Sequence, residues 1–202
     1  MDGASTNGGL EDANNIALDH GRSDYDHRHN FVTALIWDIN YYRGSSRLFK
    51  TVLNGWTVSP IVTLSSGFPF TVSAGKDNNL DGVTNDRANI VGNPILDPNR
   101  ARSQVIAQWF NTAAFVASPL GTDGNSARNL LDGPGIRNVD MGIFRNFGIR
   151  ERTKLQVRGE FTNIFNLVSL NAPNSTLTAA TFGQITTARE MRQLQLGLRL
   201  TF

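Results

Sequence analysis

The sequence predicts an all-β chain: a segment of an antiparallel up-and-down transmembrane β-barrel, a partial barrel of about five long strands with long extracellular loops. Three observations predict it. In the closing stretch RQLQLGLRLTF, Leu194, Leu196, Leu198, Leu200 and Phe202 share one parity and Gln193, Gln195, Gly197, Arg199 and Thr201 the other. Successive side chains of a strand point to opposite faces, so one face is wholly apolar. Secondly, charges inside the alternating segments keep to the polar parity, as Asp38, Asp140, Lys154, Arg158, Glu160 and Arg199 do. A membrane wall requires this, because an Arg or Lys facing the bilayer midplane costs about 2–4 kcal/mol. Thirdly, long and short connections alternate after the first strand, as in a barrel with tight turns at one rim and large loops at the other.

Composition agrees. Of 202 residues only 18% are charged, while Gly (19) and Phe (12) are abundant, a profile that suits strands and turns. The formal charge of +2 is small, and Lys and Arg are scattered, which argues against a nucleic-acid partner. Cysteine is absent, which excludes a disulfide framework or a thiolate metal site. The opening MDGASTNGGLEDANN has no basic region followed by an apolar run, and no stretch approaches the roughly 20 apolar residues of a membrane helix. An exported chain without an export signal is expected to be a fragment.

Residues 1–27 read as a loop lead-in, rich in Gly, Asn, Asp and Ser, and 28–202 as the barrel part. The first strand starts at His29, with Phe31, Thr33, Leu35, Trp37, Ile39 and Tyr41 opposing Asn30, Val32, Ala34, Ile36, Asp38 and Asn40; a connection follows over 43–55. The second is expected to run some 18 residues, Trp56 to Ser73, carrying Trp56, Val58, Pro60, Val62, Leu64, Phe68, Phe70 and Val72 on one face. Pro60 predicts a local irregularity, since it cannot donate to the ladder. The stretch 74–133 has no strand pattern and reads as an outer loop, with a short helix within ARSQVIAQWFNTAAF. A third strand carries Val139, Met141, Ile143, Phe147 and Ile149. The tight turn GIRER leads to a fourth with Leu155, Val157, Phe161 and Phe165, and a further loop precedes the last. If Phe202 marks the periplasmic rim, GIRER and 43–55 share that rim, and the loops around Asn85 and Asn174 face outward.

Arg145 breaks the charge rule, because it shares the parity of Ile143 and Phe147. It is expected near the interface, or beside a bulge that shifts the register. Trp37, Tyr41, Tyr42, Trp56 and Phe70 suit interfacial aromatic belts. A soluble secreted β-sandwich, binding carbohydrate or calcium through 74–133, would show similar alternation, though not such long strands.

The tail resembles the carboxy-terminal assembly signal of outer-membrane barrels through Gln195, Gly197, Leu200 and Phe202. The segments SDYDHRHNFVTAL, LNGWTVSPIVTLSSGFPFTV, DNNLDGVTNDRANIVG, FNTAAF, GNSARNLLDGPGIRNVDMGIFRNF, LQVRGEFTNIFN and RQLQLGLRLTF, in that order, resemble the end of the TonB-dependent receptors of the Oar-like type, which carry a carboxypeptidase-regulatory-like domain. The resemblance implies a roughly 22-stranded barrel closed by a plug, with outer-membrane lipid, the barrel assembly machinery, the rest of the barrel and plug, and a periplasmic energy-coupling protein as partners.

Candidate sites are few. DNNLDG matches the first half of a calcium loop, with oxygen donors at Asp77, Asn79 and Asp81, Gly82 for the turn, and Asn85 and Asp86 as further donors. Ala88 stands where the closing bidentate Glu belongs, so weak calcium binding or a simple solvated turn both fit. In DHRH, His27 and His29 share a face and could pair on zinc or copper, or serve as interfacial polar residues. Asp38, Asp140, Arg158, Glu160 and Arg199 are expected to form a lumenal charge network or to be solvated in a wet interior. No nucleophile elbow, carboxylate pair or phosphate-cradling loop is present, so no catalysis is expected.

Overall fold

In a computed structural model the protein is described at residues 10–12, 14–150 and 152–202. Residues 1–9, 13 and 151, parts of the expected lead-in and of the GIRER turn, lie outside the described residues. The chain divides into two units.

One unit, His29–Ser65, Ile136–Ser169 and Arg189–Phe202, is built on a six-stranded antiparallel sheet. Its first strand is split into β1 (Asn30–Ala34) and β2 (Trp37–Ile39), and helix α1 (Arg47–Leu53) leads to β3 (Trp56–Ser65). The expected irregularity at Pro60 falls on the neighbouring strand. β3 runs unbroken through Pro60, but β1 and β2 part at Leu35 and Ile36, opposite it. The Leu35 N–H donates to the Pro60 carbonyl at 3.1 Å, and proline has no N–H to return the bond, so the ladder lapses without changing register.

The 43–55 connection contains a helix that alternation did not suggest. The Ser46 hydroxyl caps α1 by accepting the Phe49 N–H, and Asn54 ends it by exchanging two side-chain bonds with the Tyr42 backbone, at 2.9 and 3.0 Å.

The expected 18-residue second strand is also corrected. β3 has 10 residues and stops at Ser65, and Phe70 and Val72 belong to the other unit. Gly67 explains the stop. A Cβ there would lie 1.8 Å from the Gly133 carbonyl oxygen, so the backbone leaves the ladder to pass directly against another backbone segment.

The other unit's described residues run to Arg28 and then over Ser66–Gly135 and Leu170–Ala188. It holds the short strands β4 (Pro69–Phe70), β5 (Asn89–Ile90), β6 (Phe115–Val116) and β7 (Leu131–Asp132), paired β4 with β7 and β5 with β6. The helix expected within ARSQVIAQWFNTAAF is α2 (Arg102–Ala107), where the Gln104 side chain accepts the Ala101 N–H. The 74–133 stretch is therefore not a bare loop. It supplies most of a buried core of Val72, Ala88, Phe110, Ala114, Phe115 and Leu131, against which Phe70 and Phe182 pack. Phe70 thus belongs to this core, 5.7 Å from the Phe110 ring, and not to an interfacial belt.

The sheet is completed by β8 (Ile136–Gly148), β9 (Lys154–Thr162) and β10 (Gln193–Thr201), in the order β1-β3-β8-β9-β10 with β2 also on β3. Lengths of 9 to 13 residues for β3, β8, β9 and β10 suit a tilted membrane strand of about 9–11 residues. β9 ends at Thr162, short of the expected Phe165. Asn163 turns left-handed (φ 50°), and its side chain closes a loop by accepting the Leu167 N–H and donating to the Leu167 carbonyl. Gly148 pairs with Lys154 and Lys154 with Thr201, so the tight turn and the carboxy terminus share one end of the sheet with the Ile39–Trp56 connection. Asn30, Ser65 and Ile136 are in register at the opposite end, from which the long excursions depart.

Candidate functional site: a two-faced sheet and an acidic loop

Register carries the strand parities across the whole sheet. On one face Phe31 meets Leu64, Val62 meets Val139, Met141 meets Phe161, and Phe161 meets Leu194. Leu194, Leu196, Leu198 and Leu200 are 55–76% exposed, so this face is not packed against a second sheet. Arg145 sits among them in unbroken register opposite Trp56, which removes the need for a bulge. Its guanidinium is 4.4 Å from the Phe147 ring centroid and 5.6 Å from that of Trp56, and it donates to the Val52 carbonyl at 3.0 Å near the end of α1. The charge is thus buried, at 7% exposure, under two aromatic faces and a helix terminus that favours a cation. Trp37 and Tyr41 lie on the exposed side and bond each other at 2.8 Å, as a belt pair would.

The opposite face carries Asp38, Asp140, Arg158, Glu160 and Arg199, which form local pairs and not one network. Asp38 accepts from the Thr57 hydroxyl at 2.6 Å. Asp140 accepts from the Asn138 amide and from the Asn163 N–H, at 2.8 and 2.9 Å, so it pins the turn that ends β9. Arg158 and Glu160, two apart on β9 and hence on one face, form an ion pair. Arg199 stands opposite Gln156 and joins no ion pair among the described residues. Ser59, Asp140, Gly142, Glu160, Gln193 and Gln195 help to line an open polar trough on this face.

The tail residues Gln195, Gly197 and Leu200 lie in β10, which pairs with β9 along its whole length, and Phe202 follows it, 93% exposed. Gly197 opposes Arg158, and a Cβ there would lie 2.9 Å from the Arg158 Cγ. Gly197→Val is therefore expected to push Arg158 off Glu160 and to destabilise the β9–β10 pairing by about 1–3 kcal/mol, read as a lower unfolding temperature on heat-modifiability gels.

In the loop unit, Asp77, Asp81 and Asp86 each bring a carboxylate oxygen within 4.8 Å of the others, the one such metal-competent group among the described residues. His27 and His29 do not join one; the His27 ring lies tilted against Phe68, centroids 3.8 Å apart, and its Nδ1 lies 3.1 Å from the Ser66 carbonyl oxygen. The described lead-in is anchored here and is not loose. Glu11 and Arg87 form a buried ion pair, Arg87 also reaches Asp19, and the Glu11 Oε1 accepts the Gly124 N–H at 2.7 Å. Burial pushes the Glu11 carboxyl above its ordinary range despite Arg87 and two backbone donors. With the folded value raised, folding takes up a proton as pH falls through it toward the unfolded value, so this group's contribution to stability grows over that window. Glu11→Gln is expected to remove that slope, which pH-dependent melting of the loop unit measures. No sequence signal marked Glu11, Arg87 or Asp19, whose contacts join residues 8 to 113 positions apart.

The model of the outer membrane beta barrel domain family matches residues 1–195. The chain belongs to that family. It is a protein of the bacterial outer membrane, and its open sheet is part of a barrel wall. No curated protein and no solved structure matches it. Membership in the outer membrane beta barrel domain family, together with the uncovered apolar face, sets aside the soluble β-sandwich.

Proposed function

We propose that this chain forms wall strands and outer loops of a TonB-dependent receptor, which captures a ligand outside the cell for energy-coupled uptake or presents a binding surface there. The apolar face touches outer-membrane lipid. The polar face lines the lumen, where the rest of the barrel and a plug meet it, and the plug answers to a periplasmic energy-coupling protein. The barrel assembly machinery reads the strand that ends in Gln195, Gly197, Leu200 and Phe202. Binding, not catalysis, is the work of this chain.

The observation that carries the reading is the loop unit. Residues 66–135 need only link two adjacent antiparallel strands, which a turn of two to five residues would do. Instead they fold around a buried aromatic core, and ordering so many residues costs conformational entropy that a passive pore has no use for. The ordered resemblance from SDYDHRHNFVTAL to RQLQLGLRLTF supports the receptor class in particular.

Immunoprecipitation from native outer membranes with antibody against 74–133, followed by peptide mass spectrometry, tests this. The expected product is a large polypeptide with plug peptides, in cells whose uptake stops when a protonophore collapses the energy supply. A mature product without a plug would contradict the receptor class while leaving the barrel intact.

A further inference from the structure

We infer that the 77–86 loop is a calcium site and that the bound ion fastens the amino-terminal segment to the loop unit. Three carboxylates converge, from Asp77, Asp81 and Asp86, and a point lies no more than about 2.8 Å from an oxygen of each, given mutual separations within 4.8 Å. That falls just outside the roughly 2.3–2.6 Å of calcium–oxygen bonds, and far outside the roughly 2.0–2.1 Å that magnesium demands.

Asp86 supplies the independent evidence. It is fully buried, at 0% exposure. Its Oδ2 accepts the Asn78 and Asn79 N–H groups, yet its Oδ1 is buried with no hydrogen-bond donor. A buried carboxylate oxygen without a donor is costly unless a cation meets it. The neighbouring Asn85 Oδ1 is likewise buried and without a donor. An all-oxygen donor set of carboxylates and amide carbonyls on an irregular loop suits a hard cation with flexible coordination, which is calcium. Ala88 stands where the closing Glu belongs, and the third carboxylate of the cluster comes instead from Asp86.

The same residues hold the lead-in. The Asn79 amide donates to the Glu11 carbonyl and the Asp123 carboxylate, at 2.9 and 3.1 Å, and the Asn85 amide donates to the Leu10 carbonyl at 2.5 Å. An ion that orders both asparagines therefore orders Leu10 and Glu11, and with them the Glu11–Arg87 pair. Calcium becomes a latch for the segment before the first strand.

The full chain in detergent, titrated with calcium chloride by calorimetry, tests the site. Saturable binding is expected with a Kd of about 0.1–1 mM, the range of extracellular calcium modules. Calcium is also expected to slow tryptic cleavage at Arg22 and Arg28 several-fold relative to chelator, and magnesium at equal concentration is expected to do neither. Asp86→Asn should abolish binding. Should that variant fail to fold, Asp81→Asn carries the test, because Asp81 is exposed and its variant is expected to weaken binding at least tenfold in a folded chain. No saturation below about 10 mM, an equal response to magnesium, or wild-type affinity in Asp81→Asn would overturn the site.

Discussion

Leu196→Arg is expected to block membrane assembly of the barrel, whereas Gln193→Arg, on the polar face of the same strand, is expected to leave it nearly unchanged. Leu196 is 76% exposed on the apolar face, midway along β10 and opposite Gly159, so no protein atom would shield the new charge. Arginine at the bilayer midplane costs about 2–4 kcal/mol on the lipid face, a large share of the 5–15 kcal/mol by which folded proteins are stable. Gln193 helps to line the polar trough and donates to the Glu190 carboxylate at 3.4 Å, so a cation there finds water and a carboxylate. The contrast with Arg145 is instructive. That residue tolerates the apolar face because Trp56, Phe147 and the Val52 carbonyl surround its guanidinium, and no such cage exists at position 196. Protease protection of the inserted barrel in outer-membrane vesicles measures both variants.

Phe110→Ala is expected to unfold the loop unit and to spare the sheet. Phe110 is 2% exposed and meets Phe115, Phe182 and Phe70 at ring distances of 5.6, 5.2 and 5.7 Å. Truncating a buried Phe costs about 3–5 kcal/mol through lost transfer energy and the cavity left behind, and two of the three ring contacts are edge-on pairs that add to it. A core of six buried residues has little reserve against such a loss. Hydrogen exchange is expected to show Ala88 and Ile185 amides losing protection while those of Leu196 and Val157 keep theirs.

How much of this was legible in the sequence depended on how local the signal was. The strands could be read because a period of two is written in neighbouring residues, and the parities of Leu194, Phe161, Met141 and Val62 then matched across the sheet. Pro60 announced its irregularity, though its effect fell across the ladder at Leu35. The end of β3 misled, because Phe68, Phe70 and Val72 continue the parity of Leu64 while serving a different core. Ser-Gly at 66–67 was the available sign, and the contact that enforces it, with Gly133, is remote in sequence. The loop core had no legible pattern, since Val72, Ala88, Phe110 and Leu131 sit at no common spacing. Of the proposed calcium site, the Asp77 to Gly82 turn is a local pattern visible in the sequence, whereas the burial of Asp86 Oδ1 is a tertiary fact.

In the proposed orientation the apolar side of this sheet meets lipid and the polar side meets water. The chain has no cysteine, so single cysteines at 194, 195, 196, 198, 199 and 200 can carry a fluorophore without competing labels. In membranes containing brominated lipid, this orientation predicts strong quenching at 194, 196, 198 and 200 and quenching by an aqueous collider at 195 and 199. Equal lipid quenching on both parities, or aqueous access to the leucine positions, would contradict it.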